Sequence, residues 1–181
     1  PQPACFYRKQ LLDEQGLLDE SLHFSMDADL FIRAGLHYKL VQVEDVFARF
    51  RLHAASKSVS SFNKRLLQDN ALVFSKVLKT LGAASEIEKM QQLGLYTEPA
   101  ALYIRPVRSF NTRLMLYYFL QHRLFTLYHH GERKEFKRLF SFLLKQYTGK
   151  TLASYKLVFY RLMLFLPAGF MHKAAKLVLR R

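Results

Sequence analysis

The sequence predicts a mixed α/β piece over residues 1–60, followed by a mostly α-helical, basic region over residues 61–181. Two observations carry that division. Up to about residue 60, short runs of alternating polarity with the period of a strand are interleaved with short helical runs closed by glycine. Beyond Ser61 the alternation stops, and apolar residues recur every three or four positions. Charge divides at the same place, with seven Lys/Arg against eight Asp/Glu in residues 1–60 and 21 against six beyond. The overall charge of +14 therefore belongs to the second part, which points to a balanced globular piece joined to a basic surface for an anionic partner.

Within the first part, ACFYR around residues 4–7 reads as a short strand entered in mid-course, so further chain is expected upstream of Pro1. RKQLLDEQG then reads as a short helix from about Lys9 that Gly16 ends. LLDESLHF is a loop. SMDADLFIRAG, residues 25–35, reads as a second helix, with Ser25 as N-cap, Asp27 in the first turn, where the helix dipole favours a carboxylate, and Gly35 as its stop. HYKLVQV alternates as a strand, and Glu44 and Asp45 make the turn into VFARFRLH. This run alternates again, with Val46, Ala48 and Phe50 on one face and Phe47, Arg49 and Arg51 on the other. So few strands cannot close a sheet by themselves.

In the second part, FNKRLLQDNALVFSKVLKTLG lines up Leu66, Leu67, Val73, Phe74, Val77, Leu78 and Leu81 along an amphipathic helix that ends at Gly82. SEIEKMQQLG is a shorter helix capped by Ser85 and stopped by Gly94. A long helical pattern covers residues 99–128 with a break at Pro106. ERKEFKRLFSFLLKQY and LASYKLVFYRLMLFL follow, separated by TGK, and a last piece ends in KLVLRR.

Composition removes several classes of function. A single cysteine, Cys5, excludes an internal disulfide and a thiolate zinc cage, and it reads as a small buried hydrophobe. No apolar run reaches the roughly 20 residues needed to span a bilayer. The longest, residues 157–166, is interrupted by Arg161 and stopped by Pro167. After residue 100 there are sixteen bases against two acids, Glu132 and Glu135, interleaved with aromatic and aliphatic residues. That mixture suits helices lying on an anionic membrane better than a bundle whose basic face is merely solvated. It is also compatible with phosphate contact and base stacking, so a non-enzymatic module binding nucleic acid or anionic membrane is the alternative. No helix-turn-helix or RNA-binding signature supports the nucleic-acid form of it.

Three segments point to a specific chemistry. PQPACFYRKQLLDEQGLLDESL, MDADLFIRAG and FRLHAASKS resemble, in order and spacing, the strand-helix-Gly-"fDE.l" segment, the "ED..L..R" helix and the "yR.H..s.S" strand end of family 2 glycosyltransferases. The resemblance covers residues 1–60 and implies the C-terminal half of an A-type, nucleotide-diphospho-sugar-binding α/β domain that inverts the anomeric centre. It implies that Asp27 is the general base that takes the acceptor's hydroxyl proton, a task for a well-placed weak base. Met26 stands where the family usually has Glu. Asp29 and Arg33, four apart with the acid first, form a helical ion pair that fixes the helix presenting Asp27, with an acceptor contact as their lesser role.

His53 resembles the histidine that in some members completes a divalent metal site, Mn or Mg, begun by an upstream Asp-x-Asp. A hydrogen-bonded turn histidine is the competing interpretation. Gln2 matches a polar position facing the acceptor, and Lys57 one near the diphosphate. A Gly-rich phosphate loop and the donor-binding strands are missing from the sequence, so this chain is expected to be a fragment that by itself binds neither nucleotide nor metal well. The parent enzyme is expected to use a nucleotide-sugar donor and a glycan or lipid-linked acceptor in building cell-surface polysaccharide, lipopolysaccharide or glycolipid. It would work in the cytoplasm, held at the inner face of the plasma membrane by the basic region. A catalytically dead first part with a membrane-tethering second part remains a third possibility.

Overall fold

The computed structural model describes residues 4–49 and 64–147. They form two compact units, Pro1–Thr112 and Arg113–Arg181. The described residues form six helices: α1 (Gln10–Gln15), α2 (Met26–His37), α3 (Lys64–Thr80), α4 (Ala84–Gln92), α5 (Thr112–His129) and α6 (Arg133–Gln146). Among the described residues there is no strand, which corrects the α/β expectation for residues 1–60. Residues 5–8 and 39–49 run without regular structure, apart from a bend at Asp45. Alternation alone cannot make a strand, because each strand needs a neighbour for its backbone hydrogen bonds. Leu40, Val41, Val43, Val46 and Phe47 all stay exposed, with the Phe47 ring edge-on to Phe6 at 5.3 Å.

In the first unit, Gly16 ends α1 in a positive-φ conformation, as expected. α2 differs from expectation at both ends. Ser25 holds the N-cap position, but its hydroxyl donates to Asn70 Oδ1 on α3 at 2.7 Å instead of capping. Nor does Gly35 stop the helix, which continues to His37. A mid-helix glycine costs about 1 kcal/mol. Here burial of Leu36 and the Arg108 guanidinium, which donates to the carbonyls of Gly35, Leu36 and Tyr38, offset it.

α3 buries the stripe Leu67, Ala71, Phe74 and Leu78, flanked by Val73 and Val77. It ends at Gly82 in a Schellman turn: Gly82 N–H donates to Lys79 at 3.1 Å and Ala83 N–H to Leu78 at 2.9 Å, with Gly82 at φ +68°. Gly94 closes α4 by the same pair of bonds, to Gln91 and Met90. The N-cap of α4 is Ala83 rather than Ser85, which lies inside the first turn and accepts from Lys89 Nζ at 3.1 Å.

Residues 93–111 are not helical, so the long pattern expected from Pro99 is realised only from Thr112. The prolines at 99 and 106 disfavour helical backbone in the residues before them. The segment instead binds α2 and α3: Thr97 N–H donates to Ser75 Oγ at 3.2 Å, Tyr103 N–H to Thr80 Oγ1 at 3.1 Å, and His37 Nε2 lies 3.0 Å from the Ile104 carbonyl.

The loop entering α2 is fastened by a buried carboxylate. Asp69 Oδ2, on α3, accepts the backbone N–H groups of His23 and Phe24, each at 2.8 Å. Asp69→Ala is expected to destabilise the unit by about 1–3 kcal/mol, because it removes a charged acceptor from two amides at once. Asp69→Asn, which keeps one acceptor oxygen, should cost clearly less when both variants are unfolded in urea.

In the second unit, α5 and α6 form an antiparallel hairpin. Tyr117 near the start of α5 meets Tyr147 beyond the end of α6 at 5.3 Å, and Tyr128 near the end of α5 meets Phe136 at the start of α6 at 5.7 Å. The Tyr147 hydroxyl donates to the Arg113 carbonyl at 3.2 Å, and Arg113 Nη2 donates to the Gln146 carbonyl at 3.3 Å. Phe136, Leu139, Phe140 and Leu143 make the buried face of α6. Among the described residues, no helix is long and apolar enough to cross a membrane.

Candidate functional site

Asp27 and Asp29 are two residues apart on α2, which puts their side chains about 200° apart around the helix axis. Their surroundings differ accordingly. Asp29 is 1% exposed and stands at the centre of a charge cluster drawn from α2, α3 and two loops. Arg33 Nε donates to its Oδ2 at 2.9 Å, the Tyr103 hydroxyl donates to its Oδ1 at 2.5 Å, and Lys76 Nζ lies 3.6 Å from Oδ1. Lys76 is also paired with Asp19 and sits over the Tyr103 ring, 5.8 Å from its centre.

The rest of the Arg33 guanidinium closes the end of α1. It donates to the carbonyls of Gln15, of Gly16 at 3.0 Å and of Leu17 at 2.8 Å. A cation is favoured there by the helix dipole and by the unsatisfied last carbonyls. The cluster thus holds two acids, Asp19 and Asp29, and two bases, Arg33 and Lys76, so buried charge is matched by opposite charge. Its chemistry is structural. Every oxygen of Asp29 faces a donor inside the fold, and the cluster fixes the rotation of α2 about its own axis.

Two titrations follow from this geometry. Burial by itself pushes Asp19 up, but hydrogen bonds from Lys76 and from the Ser21 hydroxyl and amide outweigh it and hold the carboxyl at about 2, below its ordinary 3.8. Tyr103 goes the other way, raised well beyond its ordinary 10 by burial first and then by its bond to Asp29. A depressed carboxyl stabilises the fold above its unfolded pKa and loses that contribution as pH falls through the folded one. Asp19 therefore contributes stability above pH 3.8 that is lost as pH falls towards about 2. A raised phenol stabilises fully below its unfolded pKa, so the Tyr103 contribution declines as pH climbs above 10. Urea midpoints measured against pH should show both limbs, with Asp19→Asn flattening the acid limb and Tyr103→Phe the alkaline one.

Asp27 lies on the other side of α2. It is partly buried in the first turn, its Oδ1 accepts the Ala28 N–H at 2.8 Å, and no other hydrogen bond engages it among the described residues. The arrangement is a partly buried carboxylate with one local hydrogen bond, on a helix whose opposite side is clamped. Gln2, His53 and Lys57 lie outside the described residues. Among the described residues, no group of three or more His, Cys, Asp or Glu side chains is placed to hold a metal ion. Asp29, the carboxylate nearest Asp27 in sequence, is fully engaged by Arg33, Tyr103 and Lys76.

The four-residue spacing of Asp29 and Arg33 was a readable signal for their ion pair. Asp19, Lys76 and Tyr103 were not singled out from the sequence. Lys76 left one trace, a base inside the apolar run VFSKVL with buried neighbours on both sides. Tyr103 left none, because the helical pattern that covers it in the sequence is not realised before Thr112.

Compared with protein-family models, curated proteins and solved structures, the chain matches none.

Proposed function

We propose that this chain supplies the acceptor side of an inverting sugar transfer, with Asp27 as the general base that accepts the acceptor hydroxyl's proton as it attacks the anomeric carbon of a nucleotide-diphospho-sugar. The observation that carries this is the division of labour within MDADLFIRAG. Asp29 and Arg33 are buried and lock α2, while Asp27 from the same motif is only partly buried at the helix start and accepts just the Ala28 N–H among the described residues. A general base must reach its proton at hydrogen-bond distance, so it needs an accessible oxygen on a support that does not rotate. The order of the three segments that resemble family 2 glycosyltransferases supports the same assignment. It stands apart from the α/β fold, which the described residues do not adopt.

The resemblance assigns the diphosphate's divalent cation, Mn or Mg, to His53 together with donor-binding residues upstream of the first segment, and it places Lys57 near the diphosphate and Gln2 near the acceptor. A basic chain held peripherally at the inner face of the plasma membrane fits a lipid-linked or cell-surface glycan acceptor. The test is Asp27→Asn in the polypeptide as its gene encodes it, followed by transfer of labelled sugar from a set of nucleotide-diphospho-sugars to a membrane fraction. Transfer should fall by a factor of about 10² to 10⁴. Unchanged transfer would remove Asp27 from the chemistry.

A further inference from the structure

α6 carries its apolar residues on one side, where Phe136, Leu139, Phe140 and Leu143 are buried, and its bases on the other. Arg133, Lys134, Lys137, Arg138 and Lys145 are all exposed. Lys134, Arg138 and Lys145, at spacings of four and seven, fall along one line of the helix, with the small, exposed Ser141 in the gap. Lys137 and the exposed Leu144, seven apart, form a second line beside it.

The acid within α6, Glu135, lies towards Arg123 of α5, whose guanidinium it helps keep charged against the effect of burial. The charge continues along the chain, since residues 136–181 contain ten Lys/Arg and no Asp or Glu. A positive ridge of this density is complementary to a surface of closely spaced anions.

We infer that the exposed face of α6 docks on a bilayer rich in anionic phospholipid, with Lys134, Lys137, Arg138 and Lys145 meeting the headgroup phosphates. Aliphatic and aromatic exposure in the same unit favours lipid over nucleic acid. Leu144 is exposed between Lys137 and Lys145 in the sequence, and on α5 Leu114, Tyr118 and Phe125 are exposed along one line. Leucine side chains gain nothing from a phosphate backbone, whereas the boundary of the acyl region takes them out of water. Each base near an anionic membrane adds to its attraction, which decays within a Debye length and so weakens with salt. This deepens the peripheral-membrane part of the proposed function and is independent of its sugar chemistry.

The experiment is co-sedimentation of the full chain with vesicles of phosphatidylcholine alone or of phosphatidylcholine with phosphatidylserine. Binding should require the anionic lipid and weaken steeply as salt is raised. The triple variant Lys134→Gln, Lys137→Gln, Lys145→Gln should bind at least roughly tenfold more weakly, while the triple Lys→Arg variant at the same positions binds as the parent does. Far-UV circular dichroism verifies that both variants keep the parent's helix content. Equal binding to neutral vesicles, parental binding by the Gln variant, or binding to duplex DNA without binding to vesicles would each overturn the inference. None of these outcomes alters the Asp27→Asn result, so the two can fail separately.

Discussion

Asp29→Ala is expected to lower the unfolding free energy of the first unit by about 3–5 kcal/mol, read from chemical denaturation followed by circular dichroism. The size follows from what remains behind. Without the carboxylate, Arg33 loses its Nε acceptor, the Tyr103 hydroxyl loses its own, and Lys76 keeps Asp19 as its anionic partner. A buried cation deprived of its counter-charge is far more costly than a surface ion pair broken in water, for which about 0–1 kcal/mol is the usual loss. The prediction also has a shape. Replacing Asp29 and Arg33 together by leucine and methionine removes both charges, so it should cost less than Asp29→Ala alone. A cost for Asp29→Ala below about 1 kcal/mol, the range of a surface pair, would show that the cluster is not what holds α2 in place.

That cluster also shows where sequence information stops. Helix stops were legible because a glycine after an apolar period has few other uses, and Gly16, Gly82 and Gly94 each close the helix before them. Gly35 looked the same on paper. Its helix runs on because Arg108, more than seventy residues later, caps the carbonyls that follow, and no local rule contains that fact. The strands failed for a related reason. Alternation in residues 39–49 is a statement about two faces, but a ladder also needs a partner, and among the described residues none is supplied. At the site, the Asp29 and Arg33 pair was readable because its spacing is local. Lys76 and Tyr103 reach Asp29 from 47 and 74 residues away, and only the packing of α3 and of the segment 93–111 brings them there.

The Asp29 side of α2 was therefore half legible, while the Asp27 side continues into Leu30, Phe31 and Ala34, which pack towards α1 and Tyr7. This contrast sets up the second large effect, in which two carboxylates two residues apart should answer to different measurements. Asp27→Asn is expected to leave stability within about 0.5 kcal/mol of the parent, since the side chain is only partly buried and an asparagine oxygen can still accept the Ala28 N–H at the start of α2. In the polypeptide as its gene encodes it, the same change should cost a factor of about 10² to 10⁴ in sugar transfer, because an amide cannot accept the proton that a carboxylate can. The loss should appear in kcat with KM for the nucleotide-sugar unchanged, as for an interaction made only in the transition state. Asp29→Asn reverses the pattern, with lower stability and transfer reduced only as far as the folded population falls. Loss of stability in Asp27→Asn, or a change in KM alone, would assign Asp27 to holding the helix or to ground-state binding, and the general base would have to be sought on another residue.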